Sequence, residues 1–170
     1  MELNVDKVSM EDLHTIRDFK PHAKPEFRKL LIEEGKHKQS IYRGVHCVLR
    51  RNGMGNWCGY VRAKDFDLSD FEDNDDIEAN LEDRWDVFLH GGITWVDTID
   101  KTNDVYIGFD SSHVGDLSPI VLTPFERDTD MISGEKYFTL HDAYECLFDF
   151  IDHARKLNKV IGDDVYSVTE

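Results

Sequence analysis

Cysteine is scarce, with 3 in a chain of 170 residues (Cys47, Cys58 and Cys146). So small and odd a set excludes a disulfide framework and fits a reducing compartment. Long apolar runs are missing too. No window approaches the roughly 18 uninterrupted apolar residues of a membrane span. The opening Met1-Glu2-Leu3-Asn4-Val5-Asp6 has neither the basic start nor the apolar stretch of a secretion signal, so a cytoplasmic chain is expected. Positive charge is also short: 20 Lys and Arg face 35 Asp and Glu, a formal net charge of −15. A surface that negative repels a phosphate backbone, which argues against direct binding of DNA or RNA. It leaves room for a small anionic ligand in a locally positive pocket, and for a protein that imitates nucleic acid and occupies a basic partner. No repeat, Gly/Ser linker or low-complexity tract marks a boundary, so residues 1–170 read as a single domain. At 40% apolar and 11% aromatic, that domain can bury a core.

The negative charge is concentrated. From Lys64 to Asp86 there are 11 carboxylates against Lys64 and Arg84, a block expected to form a mobile, solvated, acidic insertion over about 64–86. Ser9-Met10-Glu11-Asp12 fits a capping box, and Met10, Leu13, Ile16 and Phe19 then recur at helical spacing up to Pro21. A second short helix is expected from Pro25 to Gly35. Ile41–Leu49 and Trp57–Val61, rich in β-formers and joined by Asn52-Gly53-Met54-Gly55-Asn56, read as a hairpin. Extended segments are expected at Asp86–Leu89, Ile93–Val96 and Val105–Phe109, with a loop from Asp110 to Pro119. Thr139-Leu140-His141-Asp142 is a second capping box. Leu140, Ala143, Tyr144, Leu147, Phe148, Ile151 and Ala154 follow on one face, an amphipathic helix through about Leu157. The predicted class is α+β: a small, largely antiparallel sheet with N-terminal helices and a C-terminal amphipathic helix.

Chemistry is expected where ionisable residues meet strand ends. Asp110, His113 and Asp116 recur at intervals of three in the loop after Val105–Phe109, a spacing that on a turn-like path places them on one side. His90-Gly91-Gly92 interrupts an apolar extended pattern, and glycines there suggest a bulge or a close backbone approach. If the strands neighbour each other, His90 faces the Asp110–Asp116 loop. Two imidazoles and two carboxylates suit a divalent metal that could activate water. They equally suit metal-free acid–base work by His90 or His113 oriented by a carboxylate. They also suit plain structure, with Asp110 capping the loop, Asp116 forming an Asx-turn and the imidazoles packing. Trp57, Tyr60, Thr94 and Trp95 are candidate ligand contacts, the aromatics for stacking on a base or a sugar, with core packing as the competing role. Cys58 is either a reactive thiol or a buried strand cysteine, and Cys146 reads as packing. Asp73-Asn74-Asp75-Asp76-Ile77-Glu78 alternates oxygen ligands like a calcium loop but lacks the glycine at the sixth position.

Taken together, Trp57-Cys58-Gly59-Tyr60-Val61, His90-Gly91-Gly92-Ile93-Thr94-Trp95 and Gly108-Phe109-Asp110-Ser111-Ser112-His113-Val114-Gly115-Asp116 resemble a family of small phage and prophage proteins. Its pattern runs W-C-G-Y-V, then H-G-G-[L/I]-T-aromatic, then G-F-D-x-x-H-x-G-D near a proline, here Pro119. The resemblance spans about Trp57 to Pro119 and, more loosely, the helix carrying Tyr144-Glu145-Cys146. One segment departs from it: where the family has proline and histidine followed by glycine and tyrosine, this chain has Arg62-Ala63-Lys64-Asp65-Phe66-Asp67 and the acidic block. The resemblance brings no established reaction. It implies a functional role for His90, Asp110, His113 and Asp116 and a phage-encoded protein in the host cytoplasm. The expected function is binding or hydrolysis of a small nucleotide-like ligand, countering a host defence signal, with a divalent metal as the candidate cofactor. The alternative is a non-enzymatic acidic protein that occupies a basic host protein. An isologous homodimer is the default expectation for a small soluble chain.

Overall fold

The computed structural model describes residues 28–99, 101–113, 116, 118 and 136–169. The expected helix over Ser9–Phe19 lies outside them. The first described element is α1 (Arg28–Glu34), which ends where Gly35 turns left-handed at φ 71° and its N–H donates to the Leu31 carbonyl (3.1 Å). Strands β1 (His37–Tyr42), β2 (Val45–Arg51), β3 (Trp57–Arg62), β4 (Trp95–Thr98), β5 (Val105–Phe109) and β6 (Ser167–Thr169) follow. They form one antiparallel sheet in the order β4-β5-β3-β2-β1-β6. Helix α2 (Asn74–Trp85) follows β3 after a single 3-10 turn, and α3 (Leu140–Lys156) precedes β6. The protein is a small α+β fold.

The hairpin β2–β3 forms as expected, but Ile41–Leu49 is not one strand. Arg43 (φ 47°) and Gly44 (φ 83°) form a two-residue turn that splits the run, with Tyr42 paired to Val45. Both φ values are positive, as a hairpin turn that matches strand twist requires. A side chain at Gly44 would also meet the Asp163 carbonyl at 2.3 Å, because the chain leading to β6 crosses there.

The acidic segment is corrected outright. Within the expected mobile insertion, α2 is a 12-residue helix whose Ile77, Leu81 and Trp85 lie one turn apart and are buried. Their stripe fixes the helix against the core, and Asp75, Glu78 and Asp83 face outward. The would-be calcium loop is this helix's first turn: Asp73 is the N-cap and accepts from the Asp76 N–H (2.9 Å). Asp76 in turn accepts from Glu72 N–H (2.9 Å) and Asn80 (2.7 Å).

Helix α3 has the predicted reciprocal cap, Thr139 accepting from Asp142 N–H (3.1 Å) and Asp142 from Thr139 N–H (2.9 Å). It packs across β2 and β3. Alternation along the strands sends Val45, Cys47, Leu49, Trp57, Val61, Ile107 and Phe109 to that face, where they meet Ala143, Leu147, Phe150, Ile151 and Ala154. Val48, Cys58, Tyr60, Ile99 and Tyr106 form a second cluster. Burial holds several protons tightly. It pushes the Cys47 thiol and the Tyr42 and Tyr137 hydroxyls up to about 12, and the Cys58 and Cys146 thiols to about 11. Unfolded tyrosine and cysteine ionise near 10 and 8.5. Stability from these groups is therefore complete below about pH 8.5 and lost as pH climbs through 12. Urea midpoints taken at pH 7.5, 9 and 10.5 are expected to fall in that order; a flat series would refute the burial argument.

Candidate functional site

Two loops meet at the mouth of a cleft. The first leaves α2 and carries His90. A single carboxylate holds it at both ends, Glu82 accepting from Ile93 N–H (2.6 Å) and from Leu89 N–H (3.2 Å). Between those points Gly92 N–H donates to the Leu89 carbonyl (2.9 Å), and Gly91 and Gly92 are both left-handed, at φ 70° and 91°. The His90 N–H reaches the Cys146 sulfur on α3 (3.3 Å), and the His90 ring stacks on Phe138 at 4.2 Å. The second loop leaves β5. Ser111 donates to the Trp57 carbonyl (2.8 Å), Asn56 to the Ser111 carbonyl (2.6 Å) and Asn52 to the Ser112 hydroxyl (2.7 Å). Asp110 accepts from Ser112 N–H (2.9 Å), the loop cap foreseen in the structural reading. His113 N–H donates to Asp116 Oδ2 (3.0 Å) and Asp116 N–H to the His113 carbonyl (2.9 Å), and both side chains lie against His90.

His90 Nε2 lies 2.8 Å from both oxygens of Asp116, whose side chain is 8% exposed. His113 Nδ1 lies 3.4 Å from Asp116 Oδ2, and its Nε2 is 3.7 Å from Asp110 Oδ1. One donor atom from each of His90, His113 and Asp116 falls within 4.8 Å of the others. His113 Nδ1 is shielded from solvent and makes no hydrogen bond among the described residues. A buried ring nitrogen without a hydrogen bond is costly unless something else binds it. Gly91 permits the approach: a Cβ there would lie 2.1 Å from the His113 ring.

The cleft has a volume of about 670 Å³. Phe88, Leu89, Tyr137 and Phe138 supply its apolar lining, and Asp142, Glu145, Cys146 and Asp149 of α3 form one wall. His90, Asp116 and Lys136 complete it.

Of the expected site residues, His90, His113 and Asp116 are brought together, and Asp110 stands at their edge. The ligand contacts fare differently. Trp57 is fully buried, its indole N–H donating to Glu34 (3.2 Å) and the Arg51 guanidinium 4.4 Å over its ring, so it is not available for stacking on a ligand. Tyr60 is buried in the second cluster with the Arg50 guanidinium 5.1 Å over its ring. Thr94 and Trp95 are exposed but do not line the cleft. Burial and the raised pKa make Cys58 a packing residue. The α3 wall was missed, although Asp142, Glu145, Cys146 and Asp149 recur at the spacing of a single helical face. Glu82 was hidden among ten other carboxylates of its block.

No family model matches the chain, and neither the curated proteins nor the solved structures contain a match to it.

Proposed function

We propose that His90, His113 and Asp116 bind a divalent transition-metal ion at the mouth of the cleft, and that the protein hydrolyses a small ligand held there. The single supporting observation is the convergence of three donors from two braced loops on one point, with His113 Nδ1 making no hydrogen bond among the described residues. Two imidazoles and a carboxylate are a donor set of hydrolytic zinc sites, which keep a position open for water. A bound ion there would lower the pKa of that water and polarise the scissile group. Asp110, 3.7 Å from His113, would orient the ligating imidazole, as second carboxylates do around metal-bound histidines. The phage-type setting and cytoplasmic location implied by the resemblance belong to this reading. Among the described residues no helix is long and apolar enough to cross a membrane.

The test is a thermal-shift series with Zn²⁺, Mn²⁺, Mg²⁺ and Ca²⁺ on the wild type and on His113→Ala, Asp116→Asn and His141→Ala. At 100 times its dissociation constant an ion adds about 2.7 kcal/mol, a rise of several degrees for a domain of this size. The wild type and His141→Ala, whose imidazole is 86% exposed on α3, are expected to shift with Zn²⁺ or Mn²⁺. The other two variants are expected not to. No shift with any ion would end the metal reading.

A second reading keeps one observation in its favour. α2 presents Asp75, Glu78 and Asp83 to solvent on an ordered helix, a surface on which a basic partner could dock. Salt-sensitive binding of polylysine that is lost in Asp75→Asn/Glu78→Gln/Asp83→Asn would support it; equal binding by that variant would not.

A further inference from the structure

The proposed metal centre leaves the remainder of the cleft unused, and its chemistry is one-sided. α3 contributes Asp142, Glu145 and Asp149 to one wall, facing the single ammonium of Lys136. The wall is not neutralised from within. Asp142 spends one oxygen on the Thr139 N–H, Glu145 comes only within 4.0 Å of His141, and no cation pairs with Asp149 among the described residues. A second feature is apolar: Phe88, at the cleft and next but one to His90, is 75% exposed. Phe138 and Leu89 continue that apolar surface inward. What singles this ring out is its place at the cleft, where its face is open to a ligand, and a ring face attracts cations.

We propose that the cleft takes a ligand bearing an ammonium or guanidinium group attached to an apolar body, the cation on the Glu145/Asp149 wall and the body against Phe88 and Phe138. This rests on the metal reading for the placement of the reacting end, and on the cleft alone for the class of ligand. A divalent ion on His90, His113 and Asp116 would narrow the preference without reversing it: four carboxylates line the cleft, Asp116 included, against the ion's two charges and the one of Lys136. The nucleotide-like ligand expected from the sequence fits this cleft poorly: its phosphates would face that wall, and Trp57 and Tyr60 are not there to stack on a base.

The test compares three probes of one shape, 4-phenylbutylamine, 4-phenylbutanol and 4-phenylbutyrate, by isothermal titration at low salt. Each is titrated into metal-free and Zn²⁺-loaded wild type and into a Glu145→Gln/Asp149→Asn variant. Both altered side chains are exposed on α3, so the variant is expected to fold. The amine is expected to bind the metal-free wild type about tenfold tighter than the alcohol, with the carboxylate weakest. In the zinc-loaded protein the amine should keep its advantage over the alcohol, while the carboxylate can gain by ligating the ion. In the double variant the amine should fall to the level of the alcohol. Amine selectivity in a protein that takes up no zinc would discard the metal centre and keep the cation-selective cleft. The proposal is overturned by equal binding of the three probes to the metal-free wild type, by tighter binding of the carboxylate there, by no saturable binding of the amine, or by an amine advantage over the alcohol that survives in the double variant.

Discussion

Gly91→Ala is expected to weaken metal binding by about a hundredfold or more while leaving the protein folded. Outer contacts that merely orient a metal ligand are typically worth 10–100-fold in affinity, and this substitution displaces a ligand itself. The added Cβ would lie 2.1 Å from His113 Cε1, 2.4 Å from Nδ1 and 2.5 Å from Nε2, so the ring cannot keep its place. An imidazole is the far end of a side chain and swings away cheaply, so the clash is relieved at the expense of the site and not of the core. The backbone adds its own term, because φ at position 91 is 70° and a left-handed alanine costs roughly 1–2 kcal/mol. Gly92→Ala separates the two effects. It carries the same kind of strain, at φ 91°, but its Cβ would meet nothing nearer than Glu82 Oε1 at 3.4 Å. Zinc titrations against a competing chelator should therefore show a large loss for Gly91→Ala and less than about a tenfold loss for Gly92→Ala, with urea midpoints lowered similarly in both. Equal zinc affinity in the two variants would mean that His113 is not a ligand.

The same glycine shows what could be read from the chain beforehand. A glycine pair after His90, inside an extended apolar pattern, signals close backbone approach, and the structure has the His113 ring against Gly91. The spacing of Asp110, His113 and Asp116 was legible because a turn-like path needs only local geometry, and the Thr139 cap because it is closed within four residues. β5 occupies the span its composition predicts. Other features depended on partners distant in sequence. Arg43-Gly44 carries little turn signal, yet it splits a β-rich run because β1 and β2 pair across it. The acidic block looked self-repelling as composition, but Ile77, Leu81 and Trp85 had a core to enter, and charge on the outer face of a helix is readily solvated. Phe150 lies in the core although it falls outside the apolar stripe drawn from the sequence, because the rings of Phe66 and Trp85, distant in sequence, pack against it. Trp57 could have faced a ligand or the core; what decided it was Glu34, 23 residues earlier, accepting its indole N–H.

Glu34→Ala is expected to remove about 3–5 kcal/mol of stability, the loss typical when one member of a buried ion pair is deleted. Glu34 is 9% exposed and accepts from the indole N–H of Trp57 (3.2 Å), the hydroxyl of Tyr137 (2.9 Å) and the backbone N–H of Leu140 at the start of α3. Arg51, whose side chain is 0% exposed, lies 3.6 Å from it and donates to the carbonyls of Gly35 and Gly55 (both 2.7 Å) and to Tyr137 (2.8 Å). Alanine would take the acceptor from three donors and leave the guanidinium without its carboxylate, and arginine cannot escape by losing its proton. Glu34→Gln keeps the shape but points an amide NH₂ among donors, so about half the loss is expected. Arg51→Met removes the charge from the other side. The double variant Glu34→Gln/Arg51→Met should then be more stable than the two single losses added together by about 1 kcal/mol or more, since neither charge is left stranded. Urea unfolding followed by tryptophan fluorescence measures the wild type and the four variants, and strict additivity would show that the pair is not coupled. The network also reaches the site. Glu34 holds Tyr137 and Leu140 on either side of Phe138, the ring on which His90 stacks, so loosening it should lower metal affinity in Glu34→Gln even at temperatures where that variant is fully folded.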